Sequence, residues 1–160
     1  MNESQYLNKI QKVLEENNCK VWREVIPDQH KNREYPYRID LIFYRDDLGY
    51  IAVEGKNTHS LRQGSIFAKA ILQIQKYRNL TYFDGKNINK WCVTSPSNTS
   101  FVSADKELNK AVASEVLYFI KTFFKYMYKI SYLELHEYSY WNRISIDRLA
   151  KDSINIMKKP

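Results

Sequence analysis

The chain has 160 residues, 44% hydrophobic and 14% aromatic, with only 4 Gly and 4 Pro. That composition excludes disordered, collagen-like and low-complexity classes, and the length suits one domain burying about two thirds of its unfolded surface. Its 25 Lys and Arg against 18 Asp and Glu leave a net charge of +7, which favours polyanions, nucleic acid foremost, through counterion release. The two cysteines, Cys19 and Cys92, are too few for a disulfide framework or a four-thiolate cluster and point to a reducing, cytoplasmic setting. No apolar run approaches the roughly 18 residues of a membrane span, and the N-terminus has no apolar signal core.

In chain order, Asn2 can cap a helix with Gln5 at its third position. Tyr6, Leu7, Ile10, Val13 and Leu14 then recur at steps of three and four through Asn18. Cys19 to Val25 is rich in strand formers, and the polar Pro27 to Pro36 makes a basic loop. Arg38 to Arg45 and Tyr50 to Lys56 are apolar on both faces except for Asp40, Glu54 and Lys56, as in strands within a covered sheet. Asp47, Leu48 and Gly49 form the turn between them. A second helix is expected from Ser65 to about Asn79, a turn at Asp84-Gly85, and a fourth strand from Lys90 to Thr94. From about Ser103 a long helix carries Leu108, Val112, Val116, Phe119, Ile120, Phe123 and Met127 on one face. Ile130 to Trp141 suits strand or helix, and Ser145 to Met157 reads as a terminal helix. The expectation is a single α/β domain: a core over about residues 2–95, built as a mixed β-sheet flanked by helices in α-β-β-β-α-β order, and a C-terminal helical extension over about 103–160.

Charged residues inside apolar strands need partners, because an ionised group buried alone costs several kcal/mol. Glu54 and Lys56, two apart on one strand, share a face. A three-residue loop of Asp47, Leu48 and Gly49 pairs Asp46 with Tyr50 and sets Asp40 opposite Lys56, with Glu54 diagonal to Asp40. A loop of two or four residues would send Asp40 to the other face. Two carboxylates and a lysine together suit phosphodiester hydrolysis: hard oxygen ligands hold magnesium or manganese, and a lysine orients or deprotonates the water and offsets developing charge.

Asp40, thirteen intervening residues, then Glu54-Gly55-Lys56 resembles the PD-(D/E)XK nuclease superfamily, whose restriction-endonuclease-like core has the same element order. The resemblance spans roughly residues 2–95. It implies that Asp40, Glu54 and the Gly55 carbonyl bind the metal, and that Lys56 is the catalytic lysine. Gln73 and Tyr77 resemble the Gln-x-x-x-Tyr pair of the exonuclease and helicase-nuclease branch, which adds them to the implied active site. Glu3 matches the first-helix carboxylate of resolvase-like members, and it sits on the inward stripe with Leu7, Ile10 and Leu14. Glu24 is the substitute for Glu3 in the metal shell. Ile39 stands where the family has Pro, and the cysteines of the iron–sulfur branch are absent.

Around these residues Lys31, Arg33, Arg62, Lys69, Lys76 and Arg78 would follow a phosphate backbone, while Tyr35 and Tyr37 would stack on unpaired bases. His30, His59 and His136 lack zinc spacing and are expected in solvated loops, and there is no Gly-rich phosphate loop. The reading is therefore a magnesium- or manganese-dependent deoxyribonuclease whose partner is DNA, with a homodimer left open. Its rival is a catalytically silent member of the same fold that binds nucleic acid or a protein. A third reading, an unrelated basic interaction protein, follows if Asp40 faces away from Glu54. Plain structural roles stand beside each assignment: a buried Asp40–Lys56 salt bridge, a surface hydrogen bond between Gln73 and Tyr77, and a first-turn acid at Glu3.

Overall fold

A computed structural model describes residues 2–56, 76, 82–94, 96, 130–147 and 153–158. Helix α1 (Glu3–Glu16) opens as its sequence demands: the Asn2 side chain accepts from the Gln5 amide at 2.8 Å, and the Gln5 side chain accepts from the Asn2 amide at 3.0 Å. The helix stops two residues before the expected Asn18. Asn18 takes a left-handed φ of 63°, and the amides of Cys19 and Asn18 return to the carbonyls of Leu14 and Glu15 at 3.0 and 3.2 Å. This double closure is the Schellman arrangement, and Asn is among the few side chains that tolerate its left-handed residue.

The strands are β1 (Lys20–Val25), β2 (Ile39–Arg45), β3 (Gly49–Gly55), β4 (Tyr82–Phe83), β5 (Lys86–Thr94), β6 (Ser131–Glu137), β7 (Asn142–Ile146) and β8 (Ile154–Met157). They form one mixed sheet in the order β1-β2-β3-β5-β6-β7-β8, with β4 paired to β5. β1, β2 and β3 are antiparallel neighbours, β3 with β5 and β5 with β6 are parallel, and β6, β7 and β8 are again antiparallel. The expected α/β class and mixed sheet hold among the described residues. β5 begins at Lys86, four residues before the expected Lys90, because Asp84 and Gly85 (φ 48° and 73°) close a two-residue hairpin with β4.

The C-terminal helical extension is not what the described residues form. The expected helix from Ser145 to Met157 is instead part of β7, Asp147 at φ 54°, and β8, and Ile130 to Trp141 resolves into β6 and a turn. The physical reason is a period of two: Leu133 and Leu135 on β6, Ile144 and Ile146 on β7, and Ile156 on β8 are buried against α1, while Glu134, His136, Arg143 and Asn155 alternate with them. The expected helix at 103–127 lies outside the described residues. So does the helix at 65–79, apart from Lys76.

The sheet curls around α1. Tyr6, Leu7, Ile10, Val13 and Leu14 pack against Leu41, Phe43, Ile51, Val53 and Cys92 as well as against the C-terminal strands. A second cluster joins Val25, Ile39, Ile42, Ala52 and Ile88, with Trp22, Tyr37, Tyr50, Phe83 and Trp91 packed on it. Cys19 and Cys92 are buried free thiols. Among the described residues no helix is long and apolar enough to cross a membrane.

Candidate active site

The site is set by the β2–β3 hairpin. Its loop has the expected three residues but lies one position earlier, at 46–48, with Arg45 paired to Gly49. The Leu48 amide closes the turn on the Arg45 carbonyl at 2.9 Å, the Arg45 guanidinium holds Asp47 through contacts of 2.6 and 2.9 Å, and Gly49 takes a φ of 74°. Tyr44 faces Tyr50 across the strands with ring centroids 4.5 Å apart. Moving the loop by one residue moves the pairing by two. The face of each side chain is therefore kept while its partner changes: continued past Leu41 and Val53, this register sets Asp40 opposite Glu54, not Lys56.

Asp40 and Glu54 alternate with Leu41 and Val53, which face α1, so the two acids belong to the other face. Glu54 is only 4% exposed. Its Oε1 accepts from Lys56 Nζ at 2.9 Å and its Oε2 from the Tyr37 hydroxyl at 2.6 Å, while Asp40 Oδ2 accepts from the Gly55 amide at 2.8 Å. Burial, then the charge of Asp40, pushes the Glu54 carboxyl up to about 7 against the pull of Lys56 and Tyr37. Burial likewise raises Asp40; the Gly55 amide and Lys56 oppose it, and Glu24 reinforces it.

The expected convergence of Asp40, Glu54 and Lys56 is thus present in the geometry. Glu24 extends the row, standing across from Asp40 between the pairs Arg23–Leu41 and Val25–Ile39. It is exposed, and its φ of 51° breaks the ladder at this point. Glu3 approaches from the α1 side. A Cβ on Gly55 would lie 3.0 Å from Glu3 Cγ and 3.1 Å from Leu7 Cδ1, so the bare backbone of Gly55 admits the Glu3 side chain. Among the described residues no group of three or more His, Cys, Asp or Glu is gathered closely enough to hold a metal ion.

Of the expected phosphate-following residues, Arg33 and Lys76 are exposed. Lys31 is tied to Asp28 at 2.9 Å and reaches Asp84 at 3.9 Å. Gln73, Tyr77, Arg62, Lys69, Arg78 and His59 lie outside the described residues. Tyr35 is 87% exposed, whereas the ring of Tyr37 packs on the sheet and its hydroxyl is bonded to Glu54. Two histidines also depart from the solvated loops expected of them. His30 is half-buried and its Nδ1 accepts from the Tyr37 amide at 3.0 Å; His136 is on β6 with its Nε2 2.9 Å from the Ser145 hydroxyl. Nothing in the spacing of His30, Tyr37 and Glu54 marks them as a chain of contacts, since the link passes through a backbone amide. No protein-family model, no curated protein and no solved structure matches this chain.

Proposed function

We propose that this protein is a metal-dependent nuclease that hydrolyses phosphodiester bonds in DNA, on a PD-(D/E)XK-type core. The observation that carries the reading is the opposition of two carboxyl groups, half-buried Asp40 and buried Glu54, with Lys56 Nζ 2.9 Å from Glu54 Oε1. The element order α1, β1, β2, β3 and later β5 supports it, and so does the net charge of +7.

The donor set suits a hard divalent cation. Two adjacent carboxylates that resist joint ionisation gain most from a cation between them, and magnesium keeps several waters and commonly takes only one or two protein carboxylates. Asp40 and Glu54 would hold it, together with the Gly55 carbonyl. When bound, the ion would supply Lewis-acid polarisation of the phosphate and a lowered pKa for its water. Lys56, 2.9 Å from Glu54, would orient the attacking water and offset charge gathering on the phosphate. Exposed Arg33 and Lys76 would contact the backbone of the substrate.

The rival, a silent fold that binds nucleic acid or a protein, draws on one specific observation. Both oxygens of Glu54 already have donors, Lys56 and Tyr37, as a closed structural network would have. A carboxylate oxygen has two lone pairs, so one hydrogen bond to it does not by itself exclude a cation. Incubating the purified protein with linear, circular and branched DNA, in magnesium, in manganese and in chelator, separates the two. The nuclease reading expects cleavage with either metal, none with chelator, and none from Lys56→Ala, which should still bind DNA. Binding without cleavage under every condition would leave only the rival.

A further inference from the structure

The segment at 26–38, between β1 and β2, is tied down at both ends. Asp28 accepts from the amides of Asp84 and Gly85 at 2.8 and 2.7 Å and holds Lys31, so the 3-10 turn Asp28–His30 is pinned to the β4–β5 hairpin. Further along, His30 Nδ1 accepts from the Tyr37 amide at 3.0 Å, and the two rings meet edge to face at 6.4 Å. Accepting at Nδ1 fixes the imidazole with its proton on Nε2. From that backbone anchor Tyr37 packs against the cluster of Val25, Ile39, Ile42, Ala52 and Ile88 and delivers its hydroxyl to Glu54 Oε2 at 2.6 Å.

The two carboxylates are therefore both held by a neutral donor: the Gly55 amide on Asp40 and the Tyr37 hydroxyl on Glu54. A neutral donor orients a carboxylate without cancelling its charge, whereas Lys56, on Glu54 Oε1, competes with any cation for that charge. We propose that Tyr37 is a positioning residue that holds Glu54 for a divalent cation, and that His30 holds Tyr37 in place. The proposal rests on the metal-site reading above. It makes opposite demands of two residues that both donate to Glu54: removing the tyrosine hydroxyl weakens cation binding, and removing the lysine does not.

The test is Mn²⁺ binding to the DNA-free protein by titration calorimetry, well below each variant's melting temperature. Outer-shell partners of metal ligands are typically worth about 10- to 100-fold in affinity. Tyr37→Phe should weaken the Mn²⁺ dissociation constant about tenfold or more, while Lys56→Ala should bind at least as tightly as the wild type. His30→Ala should weaken binding several-fold, and His30→Asn, whose Oδ1 stands in for Nδ1 as acceptor, should restore it. Wild-type affinity in Tyr37→Phe would overturn the inference and leave the nuclease reading standing. Wild-type affinity in His30→Ala would remove His30 from it. No Mn²⁺ binding by the wild type would overturn the metal reading and this inference together.

Discussion

The two faces of the β1-β2-β3 layer are built from the same three strands and have opposite character. Toward α1 the residues are Leu41, Phe43, Ile51 and Val53, each at most 1% exposed and sealed by Leu7, Ile10 and Leu14. Toward the other side, Ile42 and Ala52 continue within two residues into Asp40 and Glu54, with Lys56 two residues further on. A purely apolar second face would be the more stable choice, since replacing buried ion pairs by packed hydrophobics is often neutral or stabilising. The contrast teaches that one face carries the stability that lets the other keep charges out of water. It also predicts that mutations on the two faces separate stability from chemistry.

The largest effect belongs to the apolar face. Phe43→Ala removes a fully buried ring and should cost about 3–5 kcal/mol, read by urea denaturation, with little change in cleavage per folded molecule. An equal loss from Glu54→Ala would erase the contrast.

The next effect is a pH dependence confined to the charged face. The folded carboxyl of Glu54 is pushed up from 4.5 to about 7, chiefly by burial and then by Asp40. The native state therefore keeps a proton that the unfolded chain has already lost. In metal-free buffer this contribution is fully present below pH 4.5 and is lost as pH rises through 7, a fall of roughly 3 kcal/mol. Glu54→Gln should flatten that decline and end up more stable than the wild type at pH 8, while cutting no DNA. Parallel stability–pH curves for the two proteins would show that Glu54 is not the group responsible.

The contrast also explains what the sequence could and could not reveal. α1 and the hairpin strands are legible because their signals are local: Asn2 and Gln5 sit at capping distance, and Leu7, Ile10 and Leu14 at helical steps. The face shared by Asp40 and Glu54 was legible through loop length alone, even though the turn moved by one residue, because only the parity of the register sets the face. The partner of Asp40 was not, since the choice between Arg45–Gly49 and Asp46–Tyr50 as closing pair rests on the Arg45–Asp47 contact. The C-terminal strands are not legible because each offers only two isoleucines at a spacing of two, Ile144 with Ile146 and Ile154 with Ile156, too short a pattern to tell strand from helix until β7 and β8 pair. Tyr37 was invisible as a partner of Glu54 because its position depends on His30, seven residues away, and on a turn held from Asp84 and Gly85.

Gly55 joins the two faces and gives a smaller effect. Its amide holds Asp40, while its missing side chain admits Glu3 and Leu7 from the α1 side. Gly55→Ala forces a Cβ to within 3.0 Å of Glu3 and 3.1 Å of the buried Leu7, for an expected cost of about 1–2 kcal/mol by overpacking. Thermal melting measures it. An unchanged melting temperature would mean that α1 shifts freely at its first turn, and that Glu3 is not closely seated.

The smallest effect decides from which side a third carboxylate serves the site. Glu3 stands against Gly55 from the α1 side, whereas Glu24 lies in the row with Asp40 and Glu54, and its charge is felt by Asp40. On that electrostatic ground Glu24→Gln should lower cleavage several-fold and Glu3→Gln less, each changing stability by under about 1 kcal/mol, as partly exposed surface changes do. Glu24 carries a further sign of use in its φ of 51°, a conformation that costs a non-glycine residue roughly 1 kcal/mol or more and tends to persist where function requires it. Glu24→Gly relieves that strain and removes the carboxylate at once, so it should melt at or slightly above the wild-type temperature while cutting DNA as poorly as Glu24→Gln. If Glu24→Gly keeps full activity, the strained residue is only a turn in an edge strand, and Glu3 becomes the third carboxylate to test.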